Sequence, residues 1–120
     1  MNYDPGLLLQ LAKLVEAKPS SDVLLIDQIQ IPDITRSQVI DHLKLLVEAH
    51  FILATVQYAG DRAIEVRITS PTLKAQQFLA SARDNEWWKN FLRHARSDDA
   101  GLVTRAGFLL ALANYFPNVL

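Results

Sequence analysis

Residues 35–69 read TRSQVIDHLKLLVEAHFILATVQYAGDRAIEVRIT, and this stretch decides the fold. It opens with Thr35 and Gln38, which have the spacing of a capping box, in which two side chains satisfy each other's backbone N–H groups. The apolar residues that follow recur at helical spacing and form one stripe: Val39, Ile40, Leu43, Leu46 and Val47. The pattern therefore predicts a helix that ends near His50.

The second half of this stretch has the composition and periodicity of two strands. Phe51 to Tyr58 is rich in β-branched and aromatic residues, and apolar residues alternate with charged ones from Arg62 to Thr69. The Ala-Gly-Asp sequence at 59–61 is typical of a tight turn. We predict a β-hairpin with one solvent-facing side directly after the helix.

The residues before this stretch supply a first helix and a connector. Asp4 and Pro5 form a good helix start, and Pro19 ends the apolar helical pattern that follows. Residues 22–34 are a connector that the sequence leaves open between a strand and a helical turn. The order helix, connector, helix, hairpin is typical of a winged helix, whose recognition helix precedes the hairpin, or wing. We therefore predict a winged-helix core over residues 1–72.

The remaining two-fifths of the chain is predicted to be helical. Apolar spacing indicates helices over residues 73–83, from Asp84 or Asn85 onward, and over 102–116. We expect residues 73–120 to form a helical extension that packs on the same domain. The predicted fold class is α+β, mostly helical.

Composition indicates one soluble domain without covalent cross-links. The 120 residues include no cysteine, 50% are hydrophobic and 21% are charged, which is typical of a packed globular protein. The N-terminal residues lack the pattern of a signal peptide, so we expect a cytoplasmic protein with no membrane partner. The net charge of −1 gives no general attraction to nucleic acid.

The sequence contains no recognisable catalytic or metal-binding motif. His42, His50 and His94 do not have the spacing of metal ligands on a common helix face. No serine lies in a nucleophile-elbow motif, and the 4 glycines form no phosphate-binding loop. We therefore expect a binding protein and not an enzyme, with no metal, no cofactor and no small-molecule substrate.

The predicted binding surface is the exposed face of the recognition helix together with the wing. It comprises Arg36, Ser37, Gln38, Asp41, Lys44 and Leu45 on the helix and Arg62 and Arg67 in the wing. Arginine, serine and glutamine suit contacts with bases and phosphates, whereas an acidic residue opposes DNA and an exposed leucine favours a protein interface. Two hypotheses stand nearly level. The leading one is a small DNA-binding regulator, and the alternative is a protein-interaction module that binds a host protein.

A second basic surface is predicted downstream. Lys89, Arg93 and Arg96 are spaced four and three residues apart, which places all three on one side of a helix.

The last predicted helix is apolar on nearly its whole circumference. A helix of this kind must be covered on every side, and the winged core covers only one. We therefore predict a homodimer whose interface contains Phe108, Leu109, Leu112 and Phe116.

Three blocks of the sequence resemble a known family. They are residues 42–49, HLKLLVEA, residues 72–79, TLKAQQFL, and residues 83–89, RDNEWWK. These blocks, in this order, resemble the signature blocks of the domain-of-unknown-function family 2513. That family consists of short bacterial proteins that are often carried by prophages and mobile elements. The resemblance implies a winged-helix-like fold and a phage or mobile-element origin, and it supplies no catalytic residues. The chain departs from the family at two places: residues 75–77 replace a glycine, a histidine and an acid, and His50 replaces the glycine that usually ends the helix.

Overall fold

A computed structural model describes residues 2–19 and 22–117. Within these residues the chain is α+β, with five α-helices, one 3₁₀ turn and two small antiparallel sheets, and half of it is helical. Residues 1, 20–21 and 118–120, which fall in the predicted core and extension, lie outside the described part. None of the described helices has the length and apolar character needed to cross a bilayer.

The elements follow one another closely along the chain. They are β1 Asn2–Tyr3, α1 Pro5–Ala17, β2 Leu24–Leu25, a 3₁₀ turn Ile26–Gln28, α2 Arg36–Glu48, β3 Ile52–Ala59, β4 Arg62–Pro71, α3 Leu73–Ala82, α4 Asn85–His94, β5 Val103–Thr104 and α5 Arg105–Tyr115. The connector that the sequence left open therefore contains both a short strand and a helical turn.

Side-chain caps set the starts of the first two helices. The Asp4 carboxylate accepts hydrogen bonds from the first N–H groups of α1, which begins at Pro5. At α2 the Thr35 hydroxyl accepts from the backbone of Gln38, and the Gln38 amide oxygen accepts from the backbone of Thr35. Both predicted helix starts are confirmed. Each depends on a capping residue and a partner within a few positions, so the sequence alone was enough to recognise it.

The main sheet has the strand order β2-β4-β3, with antiparallel pairing throughout. Val56 of β3 lies opposite Val66 of β4, and Ala54 lies opposite Ile68. Val66 and Ile68 are fully buried on the face against which α1 and α2 pack. The turn contains Gly60 with φ 65, a left-handed conformation that favours glycine. The predicted hairpin is confirmed.

A second, two-stranded sheet joins the two ends of the described chain. Asn2 of β1 lies opposite Thr104 of β5, and Tyr3 lies opposite Val103. Neither strand was predicted, because each has two residues and its partner lies at the other end of the sequence. The ribbon ties the segment before α1 to the segment before α5.

Four phenylalanines form the centre of the core. The Phe78 ring of α3 lies 4.8 Å from Phe51, 5.3 Å from Phe91 and 6.3 Å from Phe108, measured between centroids. All four side chains are fully buried. Since they come from both the predicted winged core and the predicted extension, one continuous core joins the two regions.

The burial of α5 corrects the predicted dimer interface. Phe108 is 0% exposed and Leu112 is 1% exposed within the single chain, so neither side chain is available to a second subunit. Leu109 and Phe116 are half-buried against the same core. The prediction placed these residues on an uncovered side of α5, whereas Phe108 and Leu112 lie on the side that packs against α4 and the central phenylalanines, and Leu110 is exposed on the other side.

Candidate functional site

A groove of about 590 Å³ separates the exposed face of α2 from the tip of the β3–β4 hairpin. We call it the α2–hairpin groove. Five of the predicted binding residues line it, namely Arg36, Ser37, Asp41, Lys44 and Arg62, together with Asp61 and Ile64 of the hairpin. The structure therefore brings together the exposed face of α2 and the hairpin tip, which are apart in the sequence.

Two other predicted residues lie outside this groove. Gln38 is exposed on the same helical turn, but its amide oxygen is engaged by the backbone of Thr35. Arg67 is exposed on the opposite face of β4 from Val66 and Ile68, since side chains alternate along a strand. Arg62 and Arg67, which the sequence grouped together, thus belong to different surfaces.

Leu45 is a correction to the predicted surface. Its side chain is 1% exposed, so it cannot contact a partner. Leu45 follows His42 by three residues and lies on the same side of α2, and Asp4 and Tyr3 contact His42 on that side. Leu45 therefore belongs to the core, although the sequence pattern assigned it to solvent.

Arg36 joins three parts of the molecule at one end of the groove. Its Nε donates to Asp27 of the 3₁₀ turn at 3.0 Å, and its Nη2 donates to the backbone oxygen of Ile64 at 2.7 Å. The carboxylate of Glu65 lies 3.9 Å from the same Nη2. Arg36 thus fixes the distance between the start of α2 and the hairpin.

Glu65 supports this arrangement from the hairpin side. One carboxylate oxygen accepts hydrogen bonds from the backbone N–H of Ile26 at 3.1 Å and of Val66 at 3.0 Å. The side chain therefore links β4 to the 3₁₀ turn while its other oxygen faces Arg36. Neither Asp27 nor Glu65 was predicted as a site residue, because their roles depend on the pairing of β2 with β4 and not on local spacing.

Lys44 spans the groove further along α2. Its ammonium nitrogen lies 5.5 Å from the centroid of the Tyr58 ring, within the range of a cation–π contact. Tyr58 is 53% exposed at the end of β3, so this contact is open to solvent. It gives the groove a second link between helix and hairpin.

The charges of the groove nearly balance. Arg36, Lys44 and Arg62 are basic, and Asp41 and Asp61 are acidic. Across residues 2–19 and 22–117, the ion pairs join Arg36 to Asp27 and Glu65, and Arg105 to Glu48. Lys44 and Arg62 are therefore the basic groove residues without an ion pair in that part of the chain.

The sequence comparisons identify the family. A family model described as "Hypothetical protein (DUF2513)" matches residues 4–102, which is more than four-fifths of the chain. The chain belongs to this family. No curated protein and no solved structure matches it. The DUF2513 match includes every residue of the α2–hairpin groove and ends before α5.

The backbone just after α2 has a conformation that favours glycine. His50 lies two residues beyond Glu48, the last residue of α2, and its φ is 60, in the left-handed region. Glycine adopts this conformation without the steric cost that a Cβ atom brings. His50 ends α2 as predicted, and it does so in a backbone conformation that favours glycine.

The second predicted basic surface is only partly helical. Lys89 and Arg93 are exposed on α4, whereas Arg96 lies beyond the end of the helix with φ 57. The three side chains have no ion pair within the described residues. The prediction that all three lie on one helix is wrong for Arg96, because α4 ends at His94.

The histidines do not form a common site. His42 is buried, and its ring contacts the backbone of Asp4 and of Gln38, while His94 is exposed beside Tyr115. Among residues 2–19 and 22–117, no group of three or more His, Cys, Asp or Glu side chains is arranged to hold a metal ion.

The β1–β5 ribbon lies beside the C-terminal half of α2. Burial raises the pKa of the Tyr3 hydroxyl, and the nearby carboxylates of Asp41 and Glu48 raise this pKa further, while Arg105 opposes them. Arg105 is ion-paired to Glu48, which links the start of α5 to the end of α2. The hairpin and the ribbon therefore flank α2.

Proposed function

We propose that this chain is a winged-helix protein that binds duplex DNA through α2 and the β3–β4 hairpin, as a small regulator. The element order from α1 through β2, α2 and the hairpin supports the assignment, as does the strand order β2-β4-β3. In such proteins the helix before the hairpin enters the major groove. The α2–hairpin groove carries the proposal, because it sets the exposed turn of α2 beside the hairpin tip.

The proposal gives the groove residues separate roles. Ser37 is exposed on the first turn of α2, where a hydroxyl can contact a base edge. Lys44 and Arg62 supply contacts to phosphates, since neither is ion-paired within the described residues. Contacts of Lys44 and Arg62 with phosphates release counterions, so we expect binding to weaken as the salt concentration rises, and Asp41 and Asp61 oppose this binding.

The test compares two arginines of the same strand. Fluorescence anisotropy with a labelled duplex of mixed sequence is measured over a range of salt concentrations for the wild type, Arg62→Gln and Arg67→Gln. We expect Arg62→Gln to weaken binding and to reduce the salt slope by about 1, and Arg67→Gln to leave both unchanged. Absence of binding at low salt, or equal effects of the two changes, would reject the proposal.

A second candidate function is a protein-interaction module, such as a phage-borne inhibitor or adaptor that binds a host protein. The acidic residues of the groove favour it, together with the 41% exposure of Ile64 at the hairpin tip. The buried Leu45, which first favoured this alternative, no longer supports it. If no duplex binds at low salt and Ile64→Ala abolishes binding to an identified host protein, the second candidate replaces the first.

The proposed regulator has two further properties that rest on the family resemblance and on the sequence. It acts in the cytoplasm, and its gene belongs to a phage or mobile element. Sequencing the genes on either side tests the second property, because phage structural or integration genes are expected there.

A further inference from the structure

The free edge of β3 carries neither the charged residues nor the proline that often prevent edge strands from pairing. The strand order β2-β4-β3 leaves one side of β3 without a neighbour in the described residues. Over Ile52–Ala59 the strand reads ILATVQYA, with no charged residue and no proline. Edge strands of monomeric proteins are commonly protected by charges, especially lysine, or by proline. Here the charged residues lie on the central strand β4 instead.

This edge is also open to solvent. Leu53 is 57% exposed and Tyr58 is 53% exposed, at the two ends of β3. No backbone hydrogen bond joins residues 54–59 to a described residue outside the hairpin. The pairing with β4 is irregular between Leu53 and Ala54 and between Gln57 and Tyr58, which leaves a regular stretch between these points.

We propose that β3 pairs antiparallel with β3 of a second copy of this chain, in a register centred on Val56. Two three-stranded sheets then become one six-stranded sheet. A strand that pairs with its own copy brings each residue near its equivalent, so charges on β3 would repel one another, and β3 has none. This absence of self-repulsion is the first reason for a second copy as the occupant.

The sizes of the side chains give the second reason. In the register centred on Val56, Tyr58 lies opposite the partner's Ala54, and Leu53 lies opposite the partner's Ala59. Each large exposed side chain thus meets a small one, and Thr55 meets the partner's Gln57 as a polar pair. The strand is therefore complementary to itself in this register.

The inference is independent of DNA binding and replaces the interface predicted on α5. Because α2 packs on one face of the sheet, a two-fold axis perpendicular to that sheet places both copies of α2 on the same face. The α2–hairpin grooves of the two copies then remain outside the strand pairing.

A matched pair of charge substitutions tests the interface. Gln57→Lys introduces a lysine on the β3 edge, and Gln10→Lys introduces the same charge on the exposed surface of α1. Light scattering at micromolar concentration should give about 27 kDa, twice the 13.5 kDa of one chain, for the wild type and Gln10→Lys. We expect the mass of Gln57→Lys to fall toward that of one chain.

A cysteine cross-link tests the register, and the chain is suited to it because it contains no cysteine. Val56→Cys should form a disulfide-linked dimer under oxidation, since opposite residues of antiparallel strands have Cα separations within disulfide range. Gln77→Cys, on the exposed side of α3, is the control and should remain uncross-linked. A monomeric wild type, or a dimer that Gln57→Lys does not dissociate and Val56→Cys does not cross-link, overturns the proposal.

Discussion

The Nε atom of Arg36 lies 3.0 Å from Oδ1 of Asp27, so the first residue of α2 is ion-paired to the 3₁₀ turn. The Arg36 side chain is 48% exposed and that of Asp27 is 74% exposed. An exposed pair of this kind contributes about 1 kcal/mol or less to stability. A phosphate can therefore replace Asp27 as the partner of Arg36 at small cost.

This relationship predicts that Asp27→Asn increases affinity for duplex DNA. The substitution removes the carboxylate that competes with phosphate for Arg36 and leaves the Ile64 carbonyl contact in place. Anisotropy at low salt should show a gain of several-fold, and urea unfolding should show a loss of less than about 1 kcal/mol. A fall in affinity would mean instead that Asp27 positions Arg36 for binding. Asp22→Asn is the control, because Asp22 is exposed before β2 and its substitution removes the same charge without affecting the partner of Arg36.

The parts of the fold that the sequence predicted depend on neighbouring residues. The capping box of Thr35 and Gln38 is one such signal, and the hairpin turn at Gly60 is another. Both act over a few residues, so the sequence contains all that is needed to recognise them. The groove residues of α2 could also be predicted from local helical spacing, because they occupy the side of the helix opposite Leu43 and Leu46.

The features that the sequence analysis missed or assigned wrongly all depend on contacts between distant segments. Leu45 was assigned to the surface from its helical spacing alone, whereas its burial depends on how elements distant in the sequence pack around α2. The ion pair of Arg36 with Asp27 likewise depends on how the 3₁₀ turn is placed by the pairing of β2 with β4. Pairings between distant segments of two residues leave no periodic signal.

His42 is predicted to be a structural histidine. The backbone N–H of Asp4 donates to Nε2 at 3.0 Å, so Nδ1 carries the proton and donates to the Gln38 oxygen at 2.8 Å. His42→Leu leaves the Asp4 N–H without its partner, and we expect the free energy of unfolding to fall by about 2–3 kcal/mol. The exposed His94 makes the equivalent contact, from its Nδ1 to the backbone oxygen of Asn90. Because this side chain is exposed, His94→Leu should lower the free energy of unfolding by less than about 1 kcal/mol. Urea unfolding measures both, and equal losses would contradict the assignment.

Lys74 is predicted to destabilise the folded state at neutral pH. Its residue is 9% exposed, and burial lowers the pKa of its ammonium group below the usual 10.5. The unfolded chain then holds the proton more tightly, so stability rises as the pH increases from the folded pKa toward 10.5. Lys74→Met should raise the free energy of unfolding at pH 7 slightly and flatten this alkaline rise.

The comparison of wild type with Lys74→Met isolates this effect from Tyr3. The raised pKa of Tyr3 acts in the opposite direction, because the unfolded chain loses the tyrosine proton first above pH 10. Both proteins share that contribution, so it cancels in the difference. A difference that is constant between pH 7 and pH 10 would show that the Lys74 ammonium is not desolvated.

His50 is predicted to limit the stability of the end of α2. Its φ of 60 brings a steric cost to any residue with a Cβ atom. His50→Gly should raise the free energy of unfolding by about 1 kcal/mol, whereas His50→Ala keeps the cost and should give no gain. The His50 backbone oxygen that accepts from Thr72 is unaffected by either change. Equal stability of the glycine and alanine variants in thermal unfolding would refute the prediction.

Gly107 is predicted to be required for the packing of α5 against the end of α4. A Cβ atom at this position would lie 2.3 Å from the backbone oxygen of Ala95, too close for the backbone of either helix to remain in place. Gly107→Ala should therefore lower the free energy of unfolding by about 1–3 kcal/mol, despite the higher helix propensity of alanine. Unfolding in urea, followed by fluorescence of the half-buried Trp87 and Trp88, provides the measurement. Gly6→Ala is the matched control in α1, because the new Cβ would meet only the Asp4 side chain, at 3.2 Å. If both variants unfold at the same urea concentration, α5 can move away from Ala95 without cost, and the close helix contact does not stabilise the core.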